Sequence, residues 1–153
     1  MTTITTREAK KEDLEILLGF EQGIIEAERP FDSSLKEGKI SYYNLEEMIF
    51  ADNVHLIVAV AEDEIVGSGY LRVEKSESYR KNEFNGYIGF MYVKPNFRGK
   101  RISSLILESL KSWAKSKELK ELRLDVYNEN LAAIKSYERF GFNKSLINMK
   151  MEI

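Results

Sequence analysis

Residues 86–103 read GYIGFMYVKPNFRGKRIS. The first eight, GYIGFMYV, are rich in aromatic and aliphatic residues and predict a strand over 86–93. Pro95 ends it, because proline cannot donate to a ladder. From Ile102 onward, Ile102, Ile106, Leu110 and Trp113 form one apolar stripe with Leu105 beside it, which predicts a helix over 102–117. Four cations, Lys94, Arg98, Lys100 and Arg101, crowd the junction between the two. Cations at a helix N-terminus oppose the macrodipole, at a cost of ~0.3–1 kcal/mol each. A bound polyanion offsets that cost, and the free N–H groups of the first helical turn point at the same place. Gly99 lets the chain approach a phosphate closely. The segment therefore reads as a strand–turn–helix that grips a pyrophosphate, against the simpler alternative of a solvated basic turn. It is not a P-loop, which needs Gly at 94 and Ser or Thr at 101, where this chain has Lys94 and Arg101. No G-x-G-x-x-G fingerprint follows the first strand either.

Working outward, residues 54–61 (VHLIVAVA) and 65–73 are strands joined by an acidic turn at Glu62–Glu64. Residues 4–7 make a short first strand. Leu14, Leu17, Leu18, Ile24 and Ile25 recur at helical spacing over 11–27, with Pro30 just past the end. Asn44 is placed to cap a second short helix within 42–50. Residues 75–85 form a charged loop. Beyond the helix at 102, Leu122, Leu124 and Val126 alternate in a strand over 119–127. A helix over 130–140 is closed by Gly141, and 142–153 supplies one or two final strands. Strands come both adjacent and alternating with helices, so an α/β (α+β mixed) fold with a mixed sheet is expected.

Composition narrows the function. The chain has 153 residues, one domain's worth (1–153), with 43% hydrophobic and 31% charged residues and a net charge of −2,. That charge gives no footprint for nucleic acid or an anionic membrane surface. No apolar run approaches the ~20 residues that span a bilayer. No signal peptide is visible in the polar first residues, so a cytoplasmic location is expected. Cysteine is absent and His55 is the only histidine. Disulfides, a Cys nucleophile and thiolate metal sites are excluded, and no metal is expected. His55, inside a strand, reads as structural.

Residues 130–142 read NLAAIKSYERFGF. Alone, Asn130 is a helix cap and Tyr137 with Phe140 is core packing. Together with the first segment, however, the chain resembles the GNAT superfamily of acyl-CoA N-acyltransferases. Val93, Pro95, Arg98, Gly99, Lys100 and Ile102 match the pyrophosphate motif V-x-P-x-x-R-G-K-G-I-G. Asn130, Ala133, Tyr137, Glu138, Gly141 and Phe142 match N-x-x-A-x-x-x-Y-E-x-x-G-F. Arg101 and Ser103 depart from the first motif, standing where the family has Gly, and Gly or Ala.

The resemblance implies the GNAT fold: a mixed, mostly antiparallel sheet of about 6–7 strands, splayed between 86–93 and 119–127 and flanked by about four helices. It implies acetyl-CoA as co-substrate and an amine acceptor, either a small molecule or a peptide. Backbone groups of Met91, Tyr92 and Val93 would pair with the pantetheine arm. Amides of Arg98, Gly99, Lys100, Arg101, Ile102 and Ser103 would hold the pyrophosphate. Asn130 and Ala133 would border the thioester end, with Tyr137 near the sulfur. Acetyl transfer would be direct, through a ternary complex, with Tyr137 as general acid and a backbone N–H near Met91 on the oxyanion.

The family often carries a carboxylate on the strand at 86–93, but this strand has none. Glu83 just before it is the first candidate base, with Glu26, Glu28 or a water as alternatives. The acceptor is expected against residues 26–43 (EAERPFDSSLKEGKISYY), through Glu26, Arg29, Phe31, Asp32, Tyr42 and Tyr43, with Tyr87 as a relay. A homodimer is expected from the family's habit. Two rivals stand beside this: a non-catalytic acyl-CoA-binding regulatory domain of the same fold, and a nucleic-acid module built on the basic turn.

Overall fold

A computed structural model describes residues 2–153; Met1, the first of the polar residues read above as showing no signal peptide, lies outside them. Five strands among the described residues form one sheet in the order β1-β2-β3-β4-β5. They are β1 (Ile4–Glu8), β2 (Val54–Ala61), β3 (Glu64–Lys75), β4 (Phe84–Val93) and β5 (Leu122–Arg123). The first four are antiparallel and β5 runs parallel to β4. Four α-helices flank the sheet: α1 (Leu14–Glu28), α2 (Leu45–Phe50), α3 (Ile102–Ser116) and α4 (Leu131–Phe140). The β2–β3 hairpin turns on Glu62 and Asp63, both at positive φ, as a two-residue turn matched to strand twist requires.

Period-two alternation along β2 divides the core. Ile57, Ala59 and Ala61 pack with Ile102, Ile106, Leu107, Leu110 and Ala114 of α3. Leu56 and Val58 turn the other way, onto Leu17, Phe20 and Ile24 of α1 and Leu45 and Met48 of α2. The stripe read from residues 102–113 thus seats α3 on one face, and the first two helices cover the other. His55 stacks on Trp113, ring centroids 4.8 Å apart, and its Nδ1 lies 3.6 Å from Glu8.

Two expectations are corrected. The strand expected over 119–127 is a ladder of two residues only, Gly86 opposite Leu122 and Tyr87 opposite Arg123. Residues 142–153 form no strand, so the sheet has five strands rather than 6–7. The alternation of Ile147, Met149 and Met151 is strand-like, but these side chains are exposed and meet no sheet edge of their own chain.

The centre of β4 carries the main irregularity. Ser68 pairs with Tyr92 and Tyr70 with Gly89, so Phe90 and Met91 together oppose the single residue Gly69. Phe90 has φ +55°, an outlier for a bulky residue, worth roughly 1–3 kcal/mol of local strain. Tertiary contacts hold it there. Its ring is buried against Tyr43 at 5.2 Å, and the buried Ser68 hydroxyl donates to its carbonyl at 3.0 Å. The extra residue bends β4 and re-aims everything after it.

Gly67 keeps this region closely packed. A Cβ there would stand 2.8 Å from the Tyr92 carbonyl oxygen and 3.2 Å from Ile106 Cδ1. Gly67→Ala is expected to destabilise the fold by about 1–3 kcal/mol. In urea denaturation this reads as a lower midpoint with an unchanged slope.

Candidate active site

After Tyr87, β4 continues toward Val93, while the chain beyond Arg123 leaves the ladder. The sheet forks at that point. Just past it, the Tyr87 hydroxyl donates to Asp125 Oδ2 at 3.0 Å, bridging the two arms. The fork opens into a cleft of about 190 Å3. One wall is Met91, Tyr92 and Val93, and the other is Asp125, Val126 and Tyr127. Asn130, Ala133 and Tyr137 of α4 close one end, and Ile24, Ala27 and Glu28 of α1 roof the other. An extended strand wall beside an opened ladder is a template for pairing with an extended ligand.

Arg98 also lines the cleft and leads into the basic turn. Gly99 has φ +79° and Arg101, the residue before α3, is left-handed at φ +62°, ψ +23°. The position where the family has glycine therefore does need positive φ, and arginine adopts it at a cost of roughly 1–2 kcal/mol. No side chain caps α3 and its first turn holds no acid. Its leading N–H groups have no intrahelical partner, and left-handed residues beside them shape an anion-binding concavity. Arg98 Nε donates to the Val93 carbonyl at 3.0 Å, and its guanidinium lies 5.9 Å from the Tyr92 ring centre. Lys100 Nζ sits 5.1 Å from the Phe97 ring centre. Ser103 Oγ is 3.5 Å from Ser136 Oγ on α4. The side chains thus pack to the sides and the backbone N–H groups are left as the gripping element. These features suit a coenzyme A pyrophosphate.

On α4, Asn130 accepts the Ala133 N–H at 3.3 Å, so the capping role is real. It also faces the cleft, as does Tyr137. Burial, aided by Glu28, pushes the Tyr137 hydroxyl up to about 12. It stays protonated at neutral pH.

The acceptor-side expectations divide. Tyr42 lies beside Glu28, its hydroxyl buried and short of a proper hydrogen bond to any described protein group. Burial, then Glu28, pushes the Tyr42 hydroxyl up. Phe31 stacks on Tyr127 at 6.2 Å. Glu26 is exposed and pairs with Arg29 Nε at 2.9 Å. Arg29 also donates to the carbonyls of Lys36 and Gly38, so it pins the loop. Glu83 lies outside the cleft, at the opposite end of β4, beside Val73, Lys117 and Leu119. A residue before the N-terminal end of β4 points away from a fork that opens at its C-terminal end.

Glu28 is the carboxylate in the cleft with the distinctive environment. It is half-buried, and desolvation raises its pKa above the ordinary 4.5, against a lowering contribution from Tyr42. Nearby, Tyr127 donates to Asp32 Oδ2 at 2.6 Å and Lys150 Nζ reaches Asp32 Oδ1 at 3.1 Å. Tyr127, the Ser34 N–H and Lys150 hold Asp32 down to about 2. Asp125, Tyr127 and Lys150 were not singled out from the sequence. The first two were findable: with Leu122 and Leu124 packed toward α3, alternation turns Arg123, Asp125 and Tyr127 to the other face.

The comparisons agree with this geometry. A mutant form of a Bacillus halodurans protein superposes with TM-score 0.87 at 21% identity, over 97% of this chain and 99% of that one. A predicted acetyltransferase from Clostridium acetobutylicum, solved with acetyl-CoA, gives 0.72 at 16%, over 98% and 96%. Glucosamine-6-phosphate N-acetyltransferase from Arabidopsis thaliana gives 0.69 at 22%, over 98% of each. No curated protein matches by sequence. The sequence model described as the acetyltransferase (GNAT) family matches residues 22–142, most of the chain and both motifs. This chain belongs to the acetyltransferase (GNAT) family.

Proposed function

We propose that this protein is an N-acetyltransferase that moves an acetyl group from acetyl-CoA directly to a primary amine. The observation that carries it is the cleft in which the β4 edge, Tyr137 and Glu28 meet, with Arg98 leading from it toward the uncapped start of α3. Acetyl-CoA, when bound, supplies the acetyl group as an activated thioester. The N–H groups from Gly99 to Ser103 hold the pyrophosphate, the Arg98 N–H being given to the Pro95 carbonyl, and Met91–Val93 align the pantetheine arm. The bulge at Phe90 puts the Met91 N–H out of register with β3, where it donates to the carbonyl oxygen as charge develops there. Tyr137 returns a proton to the departing sulfur.

Glu28 replaces Glu83 as the proton acceptor for the amine. It lies in the cleft, and its raised pKa makes it a better base than an exposed carboxylate,. Phe31, Tyr42 and Tyr127 give the acceptor an aromatic rim. The rival regulatory domain of the same fold would bind coenzyme A without turnover.

Four outcomes are expected. Coenzyme A should bind saturably by calorimetry; absence of binding rejects the proposal. Tyr137→Phe should lower kcat by about 10²–10⁴-fold, read as free thiol, with coenzyme A affinity retained. Glu28→Gln should lower kcat by a similar factor. Because a base works only when deprotonated, wild-type activity should fall as pH drops through the raised Glu28 pKa. That acid limb should vanish in Glu28→Gln when a weakly basic amine is the acceptor.

A further inference from the structure

Glu21 lies in the middle of α1 and is only 1% exposed. Burying a carboxylate is costly unless donors surround it. Among the described residues no lysine or arginine pairs with it. Its partners all come from one short segment. Glu21 Oε2 accepts the Tyr42 N–H and the Tyr43 N–H, both at 2.8 Å, with Ser41 Oγ 3.3 Å away. The two N–H distances are those of charge-assisted bonds.

Residues 32–44 contain neither helix nor strand, so side chains must fasten them. Arg29 donates to the carbonyls of Lys36 and Gly38, and Gln22 Nε2 to the Ile40 carbonyl at 2.9 Å. Of these three fastenings from α1, only Glu21 is buried, and only Glu21 holds the tyrosines.

What those tyrosines touch gives the fastening a consequence. Glu28 follows Glu21 by two turns on the same face of α1, ~10 Å along the axis. Tyr42 bridges that interval, with its backbone on Glu21 and its hydroxyl beside Glu28. The Tyr43 ring packs on Phe90 at 5.2 Å and on Tyr70 at 5.8 Å. One buried carboxylate thus fixes the backbone from which one tyrosine reaches the proposed base and the next clamps the bulge.

We infer that Glu21 is a positioning residue for the acceptor half of the site, holding Tyr42 beside Glu28. It touches neither the amine nor coenzyme A and acts through the tyrosine. The inference rests on the acetyl-transfer reading, with Glu28 as base.

The test uses the full chain, acetyl-CoA and a panel of propylamine, putrescine, lysine amide and a short peptide. For the best acceptor of the panel, Glu21→Ala should raise the amine KM and lower kcat/KM by roughly 10–10²-fold. Coenzyme A affinity by calorimetry should stay at the wild-type value. Glu21→Gln, which keeps the shape and one accepting oxygen, should recover most of the loss. Asp13→Ala removes another buried acid, paired with Arg7 at the far end of α1. It should cost stability and leave the amine KM unchanged, because lost stability lowers the active fraction and not the affinity of what remains. An amine KM unchanged in Glu21→Ala overturns the inference and leaves acetyl transfer standing. A wild type that binds coenzyme A and acetylates none of the panel removes the reading and the inference with it. Should Glu21→Ala fail to fold, Glu21→Asp decides. Its carboxylate is one methylene short of the two N–H groups, so a raised amine KM supports the inference and an unchanged one overturns it.

Discussion

The backbone bulge at Phe90 is the constraint on which the site depends. A regular β4 would stay in register with β3 to its end, with its edge fixed by the ladder. Placing Phe90 and Met91 opposite Gly69 bends the strand three residues past Tyr87, the last β4 residue paired with β5. The strain at Phe90 persists because its ring is buried and its carbonyl is held by the Ser68 hydroxyl. A buried serine without that bond would itself cost about 1–3 kcal/mol, so the two groups stabilise each other. Tyr43 packs on the same ring from the loop before α2. The loop over the acceptor side and the bend that opens the cofactor side thus share one packing cluster.

Local strain and charge repulsion recur at the start of α3. Arg101 occupies a left-handed position, no side chain caps the helix, and Arg98, Lys100 and Arg101 crowd its start, whereas Lys94 is paired with Glu64. Each of these disfavours the ligand-free state by roughly a kilocalorie per mole. The uncapped N–H groups and the crowded cations both gain a partner when an anion meets that turn.

Much of this was legible in the sequence because it rests on local chemistry. The stripe of Ile102, Ile106 and Leu110, the cap at Asn130 and the alternation in β2 each depend on a few neighbouring residues. What escaped depends on distant ones. The strand expected to 127 stops after Arg123 as the two strands part beyond Tyr87, and the bulge that follows in β4 is held by Ser68 and Tyr43, far off in the chain. Residues 142–153 have the alternation of strands but no partner edge within the chain, and pattern alone does not reveal whether an edge exists. Glu83 looked suitable for a base by proximity to β4 in sequence. Glu28, named only as an alternative, is brought into the cleft by the packing of α1 over β4.

Under the proposed function, the two halves of the cleft recognise by different means. The cofactor half is lined by backbone: the edge of β4 and the N–H groups of a helix start. Backbone groups are indifferent to side-chain identity, which is why Arg101 and Ser103 can replace smaller residues without closing the concavity. The acceptor half is built from side chains, namely Glu28, Tyr42, Asp125 and Tyr127, held in pairs such as Tyr87 with Asp125 and Tyr127 with Asp32. Changing one member of a pair moves its partner and reshapes the wall. Substitutions around the turn at Arg98–Ser103 should therefore alter affinity for the donor gradually, whereas substitutions in the tyrosine–carboxylate pairs change which amine fits. In that reading the fork separates a backbone-built donor grip and a side-chain-built acceptor wall onto different elements.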